Sequence, residues 1–354
     1  MDKVVYIIGA GFSAPLGVPT MGEFLFKSKD LYFSDVEKYR HFEQVFETIN
    51  KLSVTKNYYG SDLFNIEEIL SVIEMNQFLD GSRLDVDFID YIKDVIRYYT
   101  PEYPKIGGDL PGNWEDWLFG KDQVLALYGY FVSSLMGLRF ERKKSDQIVT
   151  MRACDFITSK EAQPEAKYSV LSLNYDMVLE NVAGAINDQY ISEGDVCFNK
   201  SSYDPSWDST HLSKLHGCLS SGEIVPPTWA KGTHESIVPI WKNAFSILRQ
   251  ANHIRFVGYS LPVADSYIKY LLKASVIEAP HLKSIDVVCL DNDGETKYRY
   301  DIFFEFNNYR FVSGSVIDYL GELKKQVNSK RRRRQDFVST ACLETAHEGF
   351  FKNA

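Results

Sequence analysis

The chain has 354 residues, 45% hydrophobic and 25% charged, with a formal net charge of -9 at pH 7. That is enough apolar material for a large core, in one big α/β domain or two lobes, and the acidic balance argues against a nucleic-acid coat or a membrane-surface binder. The five cysteines (Cys154, Cys197, Cys218, Cys289, Cys342) are odd in number, scattered and without CxxC spacing, so neither a disulfide framework nor a zinc ribbon is indicated.

Met1-Asp2-Lys3 leads straight into an apolar run. No targeting segment and no stretch of about 18 apolar residues is evident, so a reduced, cytoplasmic protein is expected. Residues 3–8 (KVVYII) are rich in β-branched side chains and end in Gly9-Ala10-Gly11, the pattern of a buried parallel strand entering a tight turn. Residues 35–52 and 61–80 then read as helices. In the second, Ile66, Ile69, Leu70 and Ile73 share one face, with Glu67, Glu68 and Glu74 away from it. Residues 86–99 and 121–138 repeat the helical texture. Between them lies TPEYPKIGGDLPGNWEDWLFG, whose Trp114, Trp117 and Phe119 are expected to anchor it to the helices.

Strand signals return at residues 168–173, 211–215, 254–261 and 284–290. A helix is expected from near Asp265, with Ile268, Leu271, Leu272 and Ser275 at helical spacing, then a strand at 309–312 and a helix at 314–327. This alternation predicts an α/β fold, a Rossmann-like parallel sheet with helices on both faces. Residues 1–24 and 151–327 would form the sheet domain, 25–150 a helical insertion subdomain, and 328–354 a C-terminal tail carrying the basic run Lys330–Arg334. That run reads as a solvated face or a docking segment.

Gly9-Ala10-Gly11-Phe12-Ser13-Ala14 satisfies the G-x-G-x-x-G/A form after a strand. Glycines at such a junction bring backbone N–H groups close to a phosphate, and they also serve strand–helix packing. Asp30 and Asp35 do not close a second buried strand, as an ordinary dehydrogenase requires, and no GK[ST] follows, as a Walker A loop requires. Three further segments sit at predicted strand ends, where open α/β sheets bind ligands. They are Leu173-Asn174-Tyr175-Asp176, Leu215-His216-Gly217 and Gly258-Tyr259-Ser260-Leu261-Pro262.

Taken in order, Gly9-Ala10-Gly11-Phe12-Ser13, Gly17-Val18-Pro19, Asn174-Tyr175-Asp176, His216-Gly217 and Gly258-Tyr259-Ser260-Leu261 resemble the motifs of the sirtuin-like (SIR2-like) family. The resemblance covers residues 1–24 and about 165–300. The two zinc-binding CxxC pairs of the protein-deacylating members are absent, and Gly17-Val18-Pro19-Thr20-Met21-Gly22 stands where those members have GIPDFR. The chain is therefore more similar to the zinc-free SIR2-like effectors of bacterial antiphage defence, which are NAD hydrolases.

That resemblance implies NAD as substrate, no metal, and cleavage of the nicotinamide–ribose bond. It also implies a homo-oligomer and a separately encoded partner such as a HerA-type ATPase. His216 would be the catalytic base, and Asn174 would hold the ribose or the attacking water. Asp176 would contact the nicotinamide or ribose side. Ala10, Gly11 and Ser13 would line the pyrophosphate, with Gly258 and Ser260 opposite, and Asp291 would accept from the adenosine ribose.

Plainer readings stand beside these. Asp176 can cap the helix that starts at MVLE, Asn174 can be a turn residue, and His216 can be structural. His211, His216 and Cys218 match no familiar metal spacing, and Asp291-Asn292-Asp293-Gly294 has its glycine at the wrong position for a calcium loop. A protein deacylase or ADP-ribosyltransferase, and a non-catalytic sensor of NAD or ADP-ribose, remain the alternative functions.

Overall fold

The computed structural model describes residues 1–59, 65–81, 85–103, 118–142, 156–192, 195–206, 208–219, 223–225, 235–263, 265–277, 281–331 and 338–353. β1 (Asp2–Ile8) runs into a single helical turn, α1 (Ala10–Ser13). Among the described residues, the α-helices that follow are α2 (Phe24–Ser34), α3 (Phe42–Leu52), α4 (Ile66–Asp80), α5 (Asp85–Tyr99) and α6 (Gln123–Leu135). Next come β2 (Leu138–Arg142), β3 (Phe156–Lys160), β4 (Ala166–Ser172), α7 (Val178–Gln189) and β5 (Ile191–Ser192). After them are β6 (His211–Lys214), β7 (Gly217–Cys218), β8 (Glu223–Ile224), α8 (Val238–Arg249) and β9 (His253–Val257). The chain continues through α9 (Ser266–Val276), β10 (Ser284–Cys289), α10 (Glu295–Phe303), β11 (Tyr309–Ser313), α11 (Val316–Arg331) and α12 (Thr340–Asn353).

The central sheet has the order β11-β10-β9-β1-β4-β6, and every pairing in it is parallel. The chain builds outward from β1 through β4 to β6, then returns across β1 to lay down β9, β10 and β11. The order therefore reverses between β1 and β9, and such a reversal opens a crevice at the carboxyl ends of the strands.

The continuous apolar run of β1 follows from its central place. Val4, Tyr6 and Ile8 enter a cluster shared with α2–α7, α11 and α12, whereas Val5 and Ile7 enter a second cluster with α8, α9 and α10. A strand covered on both faces has no polar side to alternate with. The helices α2–α5 pack into the same apolar cluster as one sheet face. Among the described residues, no helix is long and apolar enough to cross a membrane.

Several boundaries differ from those read in the sequence. Residues 24–34 are already helical, with Phe24, Leu25, Ser28 and Leu31 turned inward, and the next helix starts only at Phe42. The strand expected to reach residue 261 stops at Val257, because Gly258 takes φ +65 and turns the chain. α8 and α10 have no counterpart among the expected elements. α10 buries only Thr296 and Tyr300, which leaves no apolar stripe to detect.

The expectation of a tail from residue 328 is corrected. α11 continues to Arg331, and α12 buries Cys342, Leu343, Ala346 and His347. Phe119 is buried, packed against Gly129 and Tyr130. Trp114, Trp117 and the basic residues 332–334 lie outside the described residues.

Candidate active site

A cavity of about 660 Å³ opens at the carboxyl ends of the sheet strands, at the reversal between β1 and β9. The turns after β1, β4, β6 and β9 each send residues into its wall, and so does the helical segment, through Phe24, Asn65, Glu67 and Ile96. Of the residues singled out in the sequence, Ala10, Gly11, Asn174, Asp176, His216, Gly258 and Ser260 line it together.

The glycine turn is explained first by packing. The Gly11 N–H donates to the Gly258 carbonyl at 2.9 Å, and the Phe12 N–H to the Gly9 carbonyl at 2.8 Å. A Cβ on Gly258 would lie 2.2 Å from the Phe12 nitrogen, and one on Gly11 would lie 2.9 Å from the Gly258 oxygen. Two backbones cross too closely here for any side chain. The Gly11 N–H, expected to serve a pyrophosphate, is thus committed within the protein. No hydrogen bond occupies the Ala10 N–H among the described residues.

Ser13 is fully buried and stands behind the wall rather than on it. Its hydroxyl accepts from Asn174 Nδ2 at 3.2 Å and donates to the Asp176 carboxylate. Asn174 also donates to the Gly9 carbonyl at 2.9 Å. A carbonyl can only accept, so Nδ2 must face it, and both amide hydrogens are used. Oδ1 is the atom left for a ligand.

Asp176 precedes the Met177 N-cap of α7, and its Oδ1 accepts from the Val178 N–H, the first of that helix, at 3.1 Å. Burial pushes its carboxyl above the usual range, with Lys214 opposing. Lys214, which drew no notice in the sequence, donates to the Asp176 main-chain carbonyl and lies 3.7 Å from Glu180. Burial works against its ammonium, but Glu180 and Asp176 outweigh that and hold the charge. This buried lysine ties the turn after β4 to the strand that delivers His216.

His216 is 3% exposed, with Nε2 3.8 Å from Oδ2 of the equally buried Asp265. Asp265 accepts from the Tyr259 hydroxyl at 2.9 Å. The Tyr175 ring lies 5.9 Å from the imidazole. Burial pushes the hydroxyls of Tyr175 and Tyr259 well above the ordinary range, and the carboxylates Glu67 and Asp265 add to it. Both phenols therefore stay neutral. Glu67, placed off the apolar face of α4 in the sequence, lines the cavity instead of facing only solvent. Nothing local marked it, because an acidic residue in the first turn of a helix is ordinary.

Asp291 is not on the cavity wall. Its two carboxylate oxygens accept from the N–H groups of Thr296 and Lys297 at 3.1 and 3.0 Å, capping α10. The expected ribose contact is corrected to a helix cap, the role that the acidic side chain takes where a helix start offers orphan donors.

No family model matches the chain, and no curated protein does. Three solved structures are similar to it at 11% identity, each over 92% of this chain. They are a Sir2–p53 peptide–NAD+ complex (TM-score 0.34, 94% of that chain), a Sir2 variant with deacetylated p53 peptide and 3'-O-acetyl ADP ribose (0.36, 93%), and Sir2 with the inhibitor EX-527, 2'-O-acetyl-ADP-ribose and deacetylated p53 peptide (0.33, 94%). At that level the likeness decides neither family nor chemistry.

Proposed function

We propose that the chain is a NAD+ glycohydrolase that releases nicotinamide and leaves ADP-ribose. One observation carries the reading: an imidazole and a fixed carboxamide, His216 and Asn174, share a cavity with the glycine turn at the strand-order reversal. Open sheets of this order bind dinucleotides at that crevice, and about 660 Å³ falls within the usual range for small-molecule sites.

The chemistry asks little of the protein beyond placement. The nicotinamide of NAD+ is a cationic ring that departs neutral, taking the C–N electron pair and leaving an oxocarbenium-like ribose. Asn174 Oδ1 accepts from the attacking water or a ribose hydroxyl. Water adds its oxygen to the anomeric carbon, and its proton passes to His216 and then to solvent. General-base help of this kind is worth roughly 10²–10⁴-fold. The carboxylates of Glu67 and Asp265 favour positive charge in the cavity, first on the ring and then on the ribose. The Ala10 N–H and Ser260 are the groups we assign to the pyrophosphate.

The test is incubation of the purified chain with NAD+ and chromatography of nicotinamide and ADP-ribose. Folded protein that releases no nicotinamide ends this reading. An acylated peptide in the same reaction reports transfer in place of hydrolysis. We place the activity in NAD depletion during antiphage defence, held in check by self-assembly or by a partner such as a HerA-type ATPase, because an unchecked NADase would empty its own cell. Full activity from a purified monomer counts against that control.

A further inference from the structure

We infer that Asp265 orients the imidazole of His216 and stabilises its protonated form, and that the Tyr259 hydroxyl holds Asp265 in place. This rests on the reading of His216 as a base. Asp265 lies in the loop between β9 and α9, and in sequence it marks only the start of a helix. In the fold its Oδ2 reaches 3.8 Å from His216 Nε2, with both side chains buried on the same cavity wall. Such distances are often long without substrate and tighten in the working complex.

The loop is built to hold this placement. Tyr259 donates to Asp265 Oδ2 at 2.9 Å, and its own carbonyl accepts from the Tyr300 hydroxyl at 2.9 Å. Leu261, fully buried, sits at φ +50, the only non-glycine with positive φ among the described residues. It also precedes Pro262, which disfavours helical backbone at that position. A conformation of this kind is costly and persists where surrounding structure enforces it, often beside a functional site. Just beyond this strained residue, the Asp265 N–H donates to the Pro262 carbonyl at 3.3 Å.

Among the described residues, the other ionisable groups around His216 have different positions or commitments, and Lys269 on α9 lies close enough to Asp265 to interact with it by charge. Tyr175 and Asp176 come from the turn after β4, Glu67 from α4 and Tyr259 from the same loop as Asp265, with Glu74 acting on Tyr175 from farther along α4. Asp176 is engaged by Val178 and Ser13. Asp265 stands at ion-pair distance. With the Nε2 proton directed to Asp265, the lone pair of the neutral imidazole is on Nδ1. When that nitrogen takes the water's proton, the imidazolium forms beside a carboxylate, the same division of labour as in base–orienter pairs elsewhere.

The test uses the full chain and Asp265→Asn, with His216→Ala to assign the imidazole signal by NMR. Asp265→Asn is expected to lower the His216 imidazole pKa by at least about one unit and to move the acidic limb of the kcat–pH profile by the same amount. It should cut kcat at pH 7 by roughly 10²-fold with KM within about threefold. Tyr259→Phe keeps the ring and the loop and should give a smaller step in the same direction, which serves if Asp265→Asn does not fold. An unmoved imidazole titration and an unmoved pH limb in the folded variants overturn the pairing. The titration needs no NAD+, so it reads the pairing even if the wild-type chain releases no nicotinamide and the glycohydrolase reading fails.

Discussion

The side-chain nitrogen of Asn174 donates to the main-chain carbonyl of Gly9 at 2.9 Å, so the turn after β4 is latched to the turn after β1. This bond decides which end of the carboxamide can face a ligand. In Asn174→Asp an oxygen would meet that carbonyl, and the side chain would have to turn away. Asn174→Ala removes the group outright. Both are expected to lower NAD+ turnover by at least about tenfold. Asn174→Asp should also lose about 1–3 kcal/mol of stability, since the Gly9 carbonyl keeps the Phe12 N–H but loses its side-chain donor and faces a carboxylate oxygen instead. Turnover assays paired with urea denaturation check both halves.

Gly258→Ala should be among the most damaging single-methyl additions in the chain. The residue sits at φ +65, and a Cβ would fall 2.2 Å from the Phe12 nitrogen and 2.5 Å from the Gly11 carbonyl carbon. Backbone cannot step aside as a flexible side chain can, so the two turns must separate. A loss above about 2 kcal/mol is expected, read as a lower denaturation midpoint. A variant of wild-type stability would mean the two turns are not in contact in solution.

The parts of this arrangement that were legible in the sequence are those with local causes. KVVYII reads as a buried strand because Val4, Tyr6 and Ile8 and their alternates Val5 and Ile7 all enter core clusters. Ile66, Ile69, Leu70 and Ile73 mark α4 because they are the residues it buries. The turns holding Asn174, His216 and Gly258 were visible as polar or glycine-bearing breaks at strand ends. The pairing of His216 with Asp265 was not, since it depends on how two crossovers meet. Asp291 misled for a related reason: an acidic residue just past a strand looks the same whether it awaits a ribose or caps the next helix.

Glu67→Gln tests whether the helical segment belongs to the site. Its carboxylate lines the cavity and raises the pKa of both Tyr175 and Tyr259, so its charge is felt at the wall around His216. Neutralising it should lower kcat about fivefold, the size of roughly 1 kcal/mol in the barrier, with the fold intact. Unchanged kinetics would make α4 a scaffold only.

The C-terminal helix is anchored by charge in the core. Arg255 on β9 meets Glu344 on α12 through bonds of 2.8 and 2.7 Å, and the Tyr168 hydroxyl also donates to Glu344 at 2.6 Å. The Arg255 side chain is 3% exposed, and its Nε already lacks a partner among the described residues. Glu344→Ala would strand that cation, at a cost of about 3–5 kcal/mol. Replacing both members with Arg255→Met and Glu344→Leu should recover most of the loss. A mild effect of Glu344→Ala alone would show that α12 detaches readily.

His347 gives this region a pH dependence. Its ring is 1% exposed, with Nδ1 3.0 Å from the Tyr319 hydroxyl and Nε2 3.1 Å from Asp286. Burial, helped by the charge of Arg255 and opposed by Asp286, pushes its pKa down to about 4. Burial alone pushes His211 to about 4 as well. An unfolded histidine titrates near 6.5. As pH falls through about 6.5 the unfolded chain takes up protons that the folded chain refuses, so stability drops until about pH 4, where the folded histidines also protonate. The loss from His347 is up to about 3 kcal/mol. Asp286 is held well below the usual carboxylate range, its bonds to His347 and Arg310 outweighing burial, so its contribution is lost only at lower pH. His347→Gln can still bond to Asp286 but cannot titrate. Its urea midpoint should fall about half as far between pH 6.5 and 4 as that of the wild type, the remainder belonging to His211. An equal fall in both proteins would mean that His347 is protonated in the folded state.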